Sequence, residues 1–308
     1  MKKIGAALRR WSVFHAIDAL AQGEEAVDKG KLIMPFFYGF VLYQAMNIFF
    51  SSRLLGFAGP VFDPPLPLFW ARFVPFSDVP TIIAVFFMVS SLIAVFLCRY
   101  RTGRILGFLG ILQYHAYISS FGTRDHGWTL FTAISFFLIF LPSIWNRPST
   151  VTERKMFLAV FWASAASIFL SYALAGTGKL IGAYHQILAG QPSIFSLSAG
   201  ALHIADWQFH GDGAGLLGPI IMDHLWLGWL GSIAVTFAQF FSWVAAFFPR
   251  LYRPWALFIV LIHLTIYLGM GIASIEIMLL IVPFLAESPL GLRPKPHHAL
   301  AHHSESGK

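Results

Sequence analysis

Apolar residues in this chain fall in long blocks, not in the strict alternation of half-buried strands. By hydropathy, eight blocks read as membrane-spanning helices, at 33–50, 80–98, 104–121, 128–145, 156–179, 225–248, 255–269 and 272–286. Gln113, Tyr114 and His115 interrupt the third. The last two form one run that is too long for a single span of about 20 residues, and "GMG" at 269–271 supplies the break. Backbone polar groups in lipid must be satisfied within the protein, so the pattern predicts an all-α polytopic membrane protein of about eight transmembrane helices.

Composition agrees with that reading. Of the 308 residues, 57% are hydrophobic and only 11% charged, where soluble domains carry about 25% charged residues. The 32 Phe and 10 Trp suit lipid-facing and interfacial surfaces. Charge then orients the chain. With the N-terminus inside, 17 of the 21 Lys and Arg fall in inner segments; only Arg53, Arg72, Arg124 and Lys179 fall outside. Both termini are therefore expected to be cytoplasmic, and the pI near 9.6 reflects basic inner loops, not a nucleic-acid partner. Cys98 is the single cysteine, which excludes an intramolecular disulfide and a CxxC redox pair.

One transmembrane domain, 33–286, is expected between two flanking segments. Over 1–32, Ile4, Ala7, Leu8, Trp11 and His15 recur at helical spacing with Arg9 and Arg10 off that face, as in a basic amphipathic helix on the cytoplasmic membrane surface. Over 287–308 the chain is polar and His-rich, the composition of a disordered cytoplasmic tail. Two outer segments are too long for simple connectors. The 51–79 loop contains "GPVFDPPLPLFW" and predicts an ordered interfacial cap. The 180–224 loop is rich in apolar residues and predicts re-entrant or interfacial helices over a cavity that opens outward.

Ionisable groups within spans are costly and tend to be functional. Here they are few: Lys179 at the end of span five, His263 in span seven, Glu276 in span eight, His115 with Gln113 in span three, and Gln239 in span six. His126 opens span four after Arg124 and Asp125, in "TRDHGW". Each has a plain structural alternative. Lys179 can snorkel to water, His263 can bond a neighbouring helix, and Asp125 can cap span four. Glu276 must be protonated or paired if buried. A lysine in a dry pocket can instead serve as a base, and Gly176 and Gly178 would let a helix or a flat ligand approach closely. With His224, His203, Asp206 and His210 match no standard zinc spacing, but these three could share one helix face, which keeps zinc open as an alternative without confidently implying a metal.

Three segments, in order, resemble the vitamin K-dependent γ-carboxylase-like membrane domain, also called the horizontally transferred transmembrane domain. "YALAGTGKL" (172–180) resembles its Y-x-x-A-G-x-x-K-L signature, "TRDHGWTLFTAISFFLIFLP" (123–142) its turn-His-span segment, and "IHLTIYLGMGIASIEIMLLIVPFL" (262–285) its His-containing span and break. The resemblance covers roughly 33–286. It implies that Lys179 acts as base toward a reduced quinone of the vitamin K or menaquinol type, supported by His126 and His263. Tyr172, Gly176, Gly178 and Tyr184 would lie around that cofactor, and Arg124, Asp125, Glu276 and His115 are further polar candidates. In the family the reduced quinone reacts with O2, a glutamate γ-proton is removed, and the carbanion captures CO2, a lyase-type carboxylation.

The chain departs from the family in two places. Tyr184 stands where a tryptophan is common, and no large lumenal domain follows the spans within these 308 residues. Short stand-alone members of the sporulation-delaying protein B type act in maturation of a secreted peptide toxin. That likeness implies a bacterial plasma membrane, a peptide or small substrate on the outer side, and membrane lipids or other membrane proteins as partners. A non-enzymatic quinone-, lipid- or peptide-binding protein, and a proton-coupled transporter using Glu276 and His263, are the competing readings.

Overall fold

The computed structural model describes residues 12–51, 62–122, 126–145, 148–210, 215–272 and 275–292. These are helical throughout, with no strand among the described residues. The helices are α1 (Val13–Leu20), α2 (Glu25–Phe50), α3 (Val79–Leu97), α4 (Arg101–Ser119), α5 (His126–Leu138), α6 (Val151–Leu188), α7 (Ala199–His210), α8 (Gly218–Asp223), α9 (Leu225–Ala246), α10 (Tyr252–Met270) and α11 (Ile275–Ile281). Five are long and apolar enough to cross a membrane: α2, α3, α6, α9 and the 249–270 segment that contains α10. Gly127–Leu138 and Ile275–Ala286 are shorter apolar helices.

The differences from the expected spans have physical reasons. α2 begins at Glu25, not 33, because polar residues in its first turns find partners: Lys29 pairs with Glu287 at 2.6 Å and Lys31 with Asp28 at 3.0 Å. α6 begins at 151, where Thr150 and Glu153 close a reciprocal capping box. It then continues nine residues past Lys179, so this lysine does not end a helix. At 38 residues, α6 is about 57 Å long, well beyond a hydrocarbon core of about 30 Å. α5 stops at Leu138 and not at 145, since Pro142 cannot continue the hydrogen-bond ladder.

α4 is too polar to meet the same length and apolarity measure, yet its polar groups are largely matched by protein. Arg104 is fully buried and donates to the carbonyls of Cys98, Arg99 and Leu141, with its guanidinium over the Trp145 ring. Gln113 accepts from Trp70 Nε1 and donates to Pro67 O, both at 2.8 Å, which docks residues 66–73 onto the helix. The part of the expected 51–79 cap from residue 62 onward is therefore ordered; residues 52–61 lie outside the described set.

The centre of the bundle is aromatic. Phe37 of α2 packs against Phe131 of α5 and Phe284, and Phe284 packs against Phe161 of α6, with ring centroids 5.6–6.0 Å apart. Each such pair contributes about 0.5–1.5 kcal/mol beyond area burial. At the N-terminal end of α6, Arg154 bonds Ala21 O, Ser149 O and Glu24, and Lys155 pairs with Asp18 at 2.6 Å. The chain stays packed beyond the expected boundary at 287, because Leu290 is buried in the core; residues 293–308 lie outside the described set, as do residues 1–11.

α9 and α10 form a second region. The Ala246 carbonyl accepts from Trp162 of α6 and from Tyr252 of α10, both at 3.0 Å, and Trp255 bonds Ser242 at 2.9 Å. Gly271 adopts φ +75°, which ends α10 in the left-handed conformation expected of the "GMG" break. Above α9 and α10 lies the expected set of short helices, α7 and α8. It is anchored by Leu217 N to Leu268 O at 2.7 Å and by Trp229 Nε1 to Phe195 O at 3.0 Å.

Candidate functional site

Three stripes, buried except at Lys179, meet where α6, α9 and α10 pack. On α6, Tyr172, Gly176, Lys179 and Ala183 follow one another at helical spacing and share a face. On α9 the stripe is Thr236, Gln239, Ser242 and Ala246. On α10 it is Tyr252, Ala256, Ile259 and His263. At Gly176 the nearest atoms of α9 are backbone. A Cβ there would overlap the main chain at Gln239 and Phe240, so only glycine permits this approach. Gly178 differs, since a Cβ there would meet nothing within 4 Å.

About three turns of each helix face one another in this packing. The Tyr172 hydroxyl and His263 Nε2 are hydrogen-bonded at 2.5 Å, both side chains buried. The other ring nitrogen, His263 Nδ1, is buried without a partner, and so is Gln239 Oε1. Lys179 lies seven residues beyond Tyr172, about 10 Å further along α6. Its side chain is exposed and has no hydrogen bond or ion pair among the described residues. Counted from Arg154, it stands 25 residues along α6, about 37 Å, a length greater than a hydrocarbon core of about 30 Å.

The other candidates separate from this seam or lie outside what is described. His126 opens α5 but its side chain is outside the described set, with Arg124 and Asp125. His115 has a structural role: Nδ1 contacts Thr132 Oγ1 at 3.1 Å and Nε2 contacts Thr129 Oγ1 at 3.3 Å. Thr132 already donates to Trp128 O, so Nδ1 is the donor in this contact, which joins α4 to α5. Glu276 is half-buried in the first turn of α11. Tyr184 is exposed beside His185. Among the described residues no group of three His, Cys, Asp or Glu is placed to hold a metal, and His203 and Asp206 are exposed on α7.

No family model, curated protein or solved structure matches the chain. The site therefore rests on its own chemistry. That chemistry includes Gln239, which hydropathy flagged as polar without assigning it a place. Thr236, Gln239 and Ser242 recur every third residue in an otherwise apolar helix, and that spacing was the available signal for a polar face.

Proposed function

We propose that this is an eight-span membrane protein, with both termini cytoplasmic, that uses a reduced quinone at the outer end of α6. The observation that carries the reading is the single α6 face bearing Tyr172, Gly176 and Lys179, with Tyr172 bonded to His263. α4 and the two shorter apolar helices complete the eight spans. Lys179 is the base in its neutral form, with no carboxylate among the described residues to hold Nζ protonated. Tyr172 and His263 form the polar floor below it.

The residues fit a quinol in donor and acceptor character. His263 Nδ1 and Gln239 Oε1 are buried and unpartnered, and Lys179 has no competing anion among the described residues. When bound, a reduced quinone supplies the electrons for O2-dependent chemistry. The chain's own part is to hold the ring, take its proton at Lys179 Nζ, and keep water from the seam below. A peptide or small molecule on the outer side is the substrate in this reading, and the activity is of the carboxylase or oxygenase type.

The test compares Lys179→Arg with wild type for menaquinol-dependent O2 uptake in nanodiscs. Arginine keeps the charge but cannot act as a base near neutral pH, so uptake should fall about hundredfold. Uptake equal to wild type would remove Lys179 as the base. One observation favours a second reading, a quinone-, lipid- or peptide-binding protein without turnover. Lys179 is exposed to the surroundings, whereas a dry pocket best produces a neutral amine. That reading predicts saturable menaquinol binding with no O2 uptake in the wild-type protein.

A further inference from the structure

The proline-rich stretch "DPPLPLFWARF", 63–73, is docked more deeply than an interfacial cap requires. Both ends of this loop meet the end of α4. Asp63 N donates to Ser120 O at 3.0 Å, and Phe62 and Phe76 pack against Phe121 with ring centroids 5.5 and 6.3 Å apart. Between those ends the chain descends. Pro67 O and Trp70 Nε1 bond the Gln113 amide, about 10 Å back along α4 from Ser120. The next residue, Tyr114, stacks on Phe87 of α3 with centroids 5.1 Å apart. Phe87 lies about 12 Å along α3 from its start at Val79. α3 is one of the five helices long and apolar enough to cross a membrane, so Pro67 docks near mid-height of a spanning helix.

The residue types suit that depth. Irregular backbone in hydrocarbon is costly, because its N–H groups find no water to bond. Pro64, Pro65 and Pro67 carry no N–H at all. Leu68 N donates to Pro65 O at 2.8 Å, and residues 66–73 wind in 3₁₀ turns that bond their own backbone. Arg72, the one charged side chain in 66–73, lies over the Phe69 ring and turns back to Asp63 at 3.3 Å. Its charge is thus carried toward the level of Ser120, as a snorkelling arginine carries it. Leu68 and Ala71 are buried, while Leu66, Phe69 and Phe73 are 87%, 49% and 76% exposed. On α3, Ile82, Val85 and Phe86 are exposed at similar height.

We infer that residues 62–76 form a re-entrant loop embedded in one leaflet, with phospholipid acyl chains packed on Leu66, Phe69 and Phe73. Height and continuity select this occupant. The three exposed side chains lie at the height of the exposed apolar side chains of α3, and the segment's charge is withdrawn from them. Gln113 is the clamp. Both polar atoms of its amide are used by the loop, so a polar side chain at mid-height of α4 is satisfied by protein. The inference rests on α3 crossing the membrane and involves neither Lys179 nor a quinone.

The test attaches a nitroxide at Leu66→Cys and, separately, at Phe73→Cys, in the full chain in phosphatidylcholine nanodiscs. Cys98→Ala removes the one native thiol. Power saturation compares access of O2, which concentrates in hydrocarbon, with access of a water-soluble nickel chelate. Val85→Cys on α3 is the hydrocarbon reference, and Asp78→Cys, just before α3, is the interfacial one. The O2-to-nickel ratio at 66 should match that at 85, and the ratio at 73 should exceed that at 78. If one labelled variant fails to fold, the other carries the test. Ratios at or below that of 78 would place the loop in water and overturn the inference. Low access to both reagents would mean that protein, such as a second copy of the chain, covers the loop, and would overturn it equally. A water-like ratio at 85 as well would overturn it through α3, which separates failure of the span from failure of the loop.

Discussion

The region around Phe37, Phe131, Phe161 and Phe284 and the seam between α6, α9 and α10 are both buried, yet they are built on opposite principles. The first is aromatic packing, closed at one end by Arg104, whose three hydrogen bonds satisfy carbonyls at the end of α3 and after α5. The second is thin and polar. It is held by a backbone approach at Gly176 and by the Tyr172–His263 bond, and it retains unpaired atoms at Gln239 and His263. A bundle that only needed to fold would fill the seam with apolar side chains, which are less costly than half-satisfied polar ones. The difference is one of build: aromatic rings fill the first region, where Arg104 Nε is the unpaired atom, while small and polar side chains line the second.

The comparison can be broken most strongly at Arg104. Arg104→Met removes the donors of three carbonyls, and the unfolding free energy should fall by about 3–5 kcal/mol, read by denaturant titration in detergent. A loss below about 1 kcal/mol would mean that this end of the bundle is not the scaffold. Next is Gly176→Leu, which drives a side chain into the α9 main chain and should destabilise by about 3 kcal/mol. Gly178→Leu, facing open space, should change stability by no more than about 1 kcal/mol. Equal effects at the two glycines would contradict the seam geometry. Tyr172→Phe removes one buried bond and should cost about 1–2 kcal/mol, mainly from leaving His263 Nε2 unpaired.

The smallest effect is at the charged end of the bundle. Lys29 hydrogen-bonds Glu287 and holds its carboxyl below the usual carboxylate range. A folded-state value below the unfolded one means that the unfolded chain takes up the proton first. The stabilisation is thus present above pH of about 4.3 and is lost as pH falls through and below the folded value. The pair is partly exposed, so a Glu287→Gln variant should differ from wild type by no more than about 0.5 kcal/mol at neutral pH, and by nothing at pH below the folded value. Thermal unfolding at pH 7 and pH 3 would read this.

Much of the membrane architecture was legible because hydropathy reports directly on what a helix surface faces. The break at Gly271, the helices within 180–224, and the apolar cores of α3 and α9 all follow from local composition. Helix ends were less legible, because they depend on partners distant in the chain. Lys29 and Lys31 look like the end of a span until Glu287 and Asp28 are placed beside them. Lys179 and its glycines look like the end of α6, but Gly176 is a packing contact and the helix runs on to 188. His115 was a polar candidate without an assigned partner, and two threonines one helix away supply contacts for both of its ring nitrogens. Gln239 and Tyr172 gained meaning only when three separate helices met.

The most direct test of the central claim is menaquinol-dependent O2 uptake by the purified chain in nanodiscs, wild type beside Lys179→Ala. The account predicts uptake in wild type, a loss of about hundredfold or more in the variant, and the same thermal unfolding midpoint in both. Undiminished uptake in Lys179→Ala, with the protein folded, would contradict it.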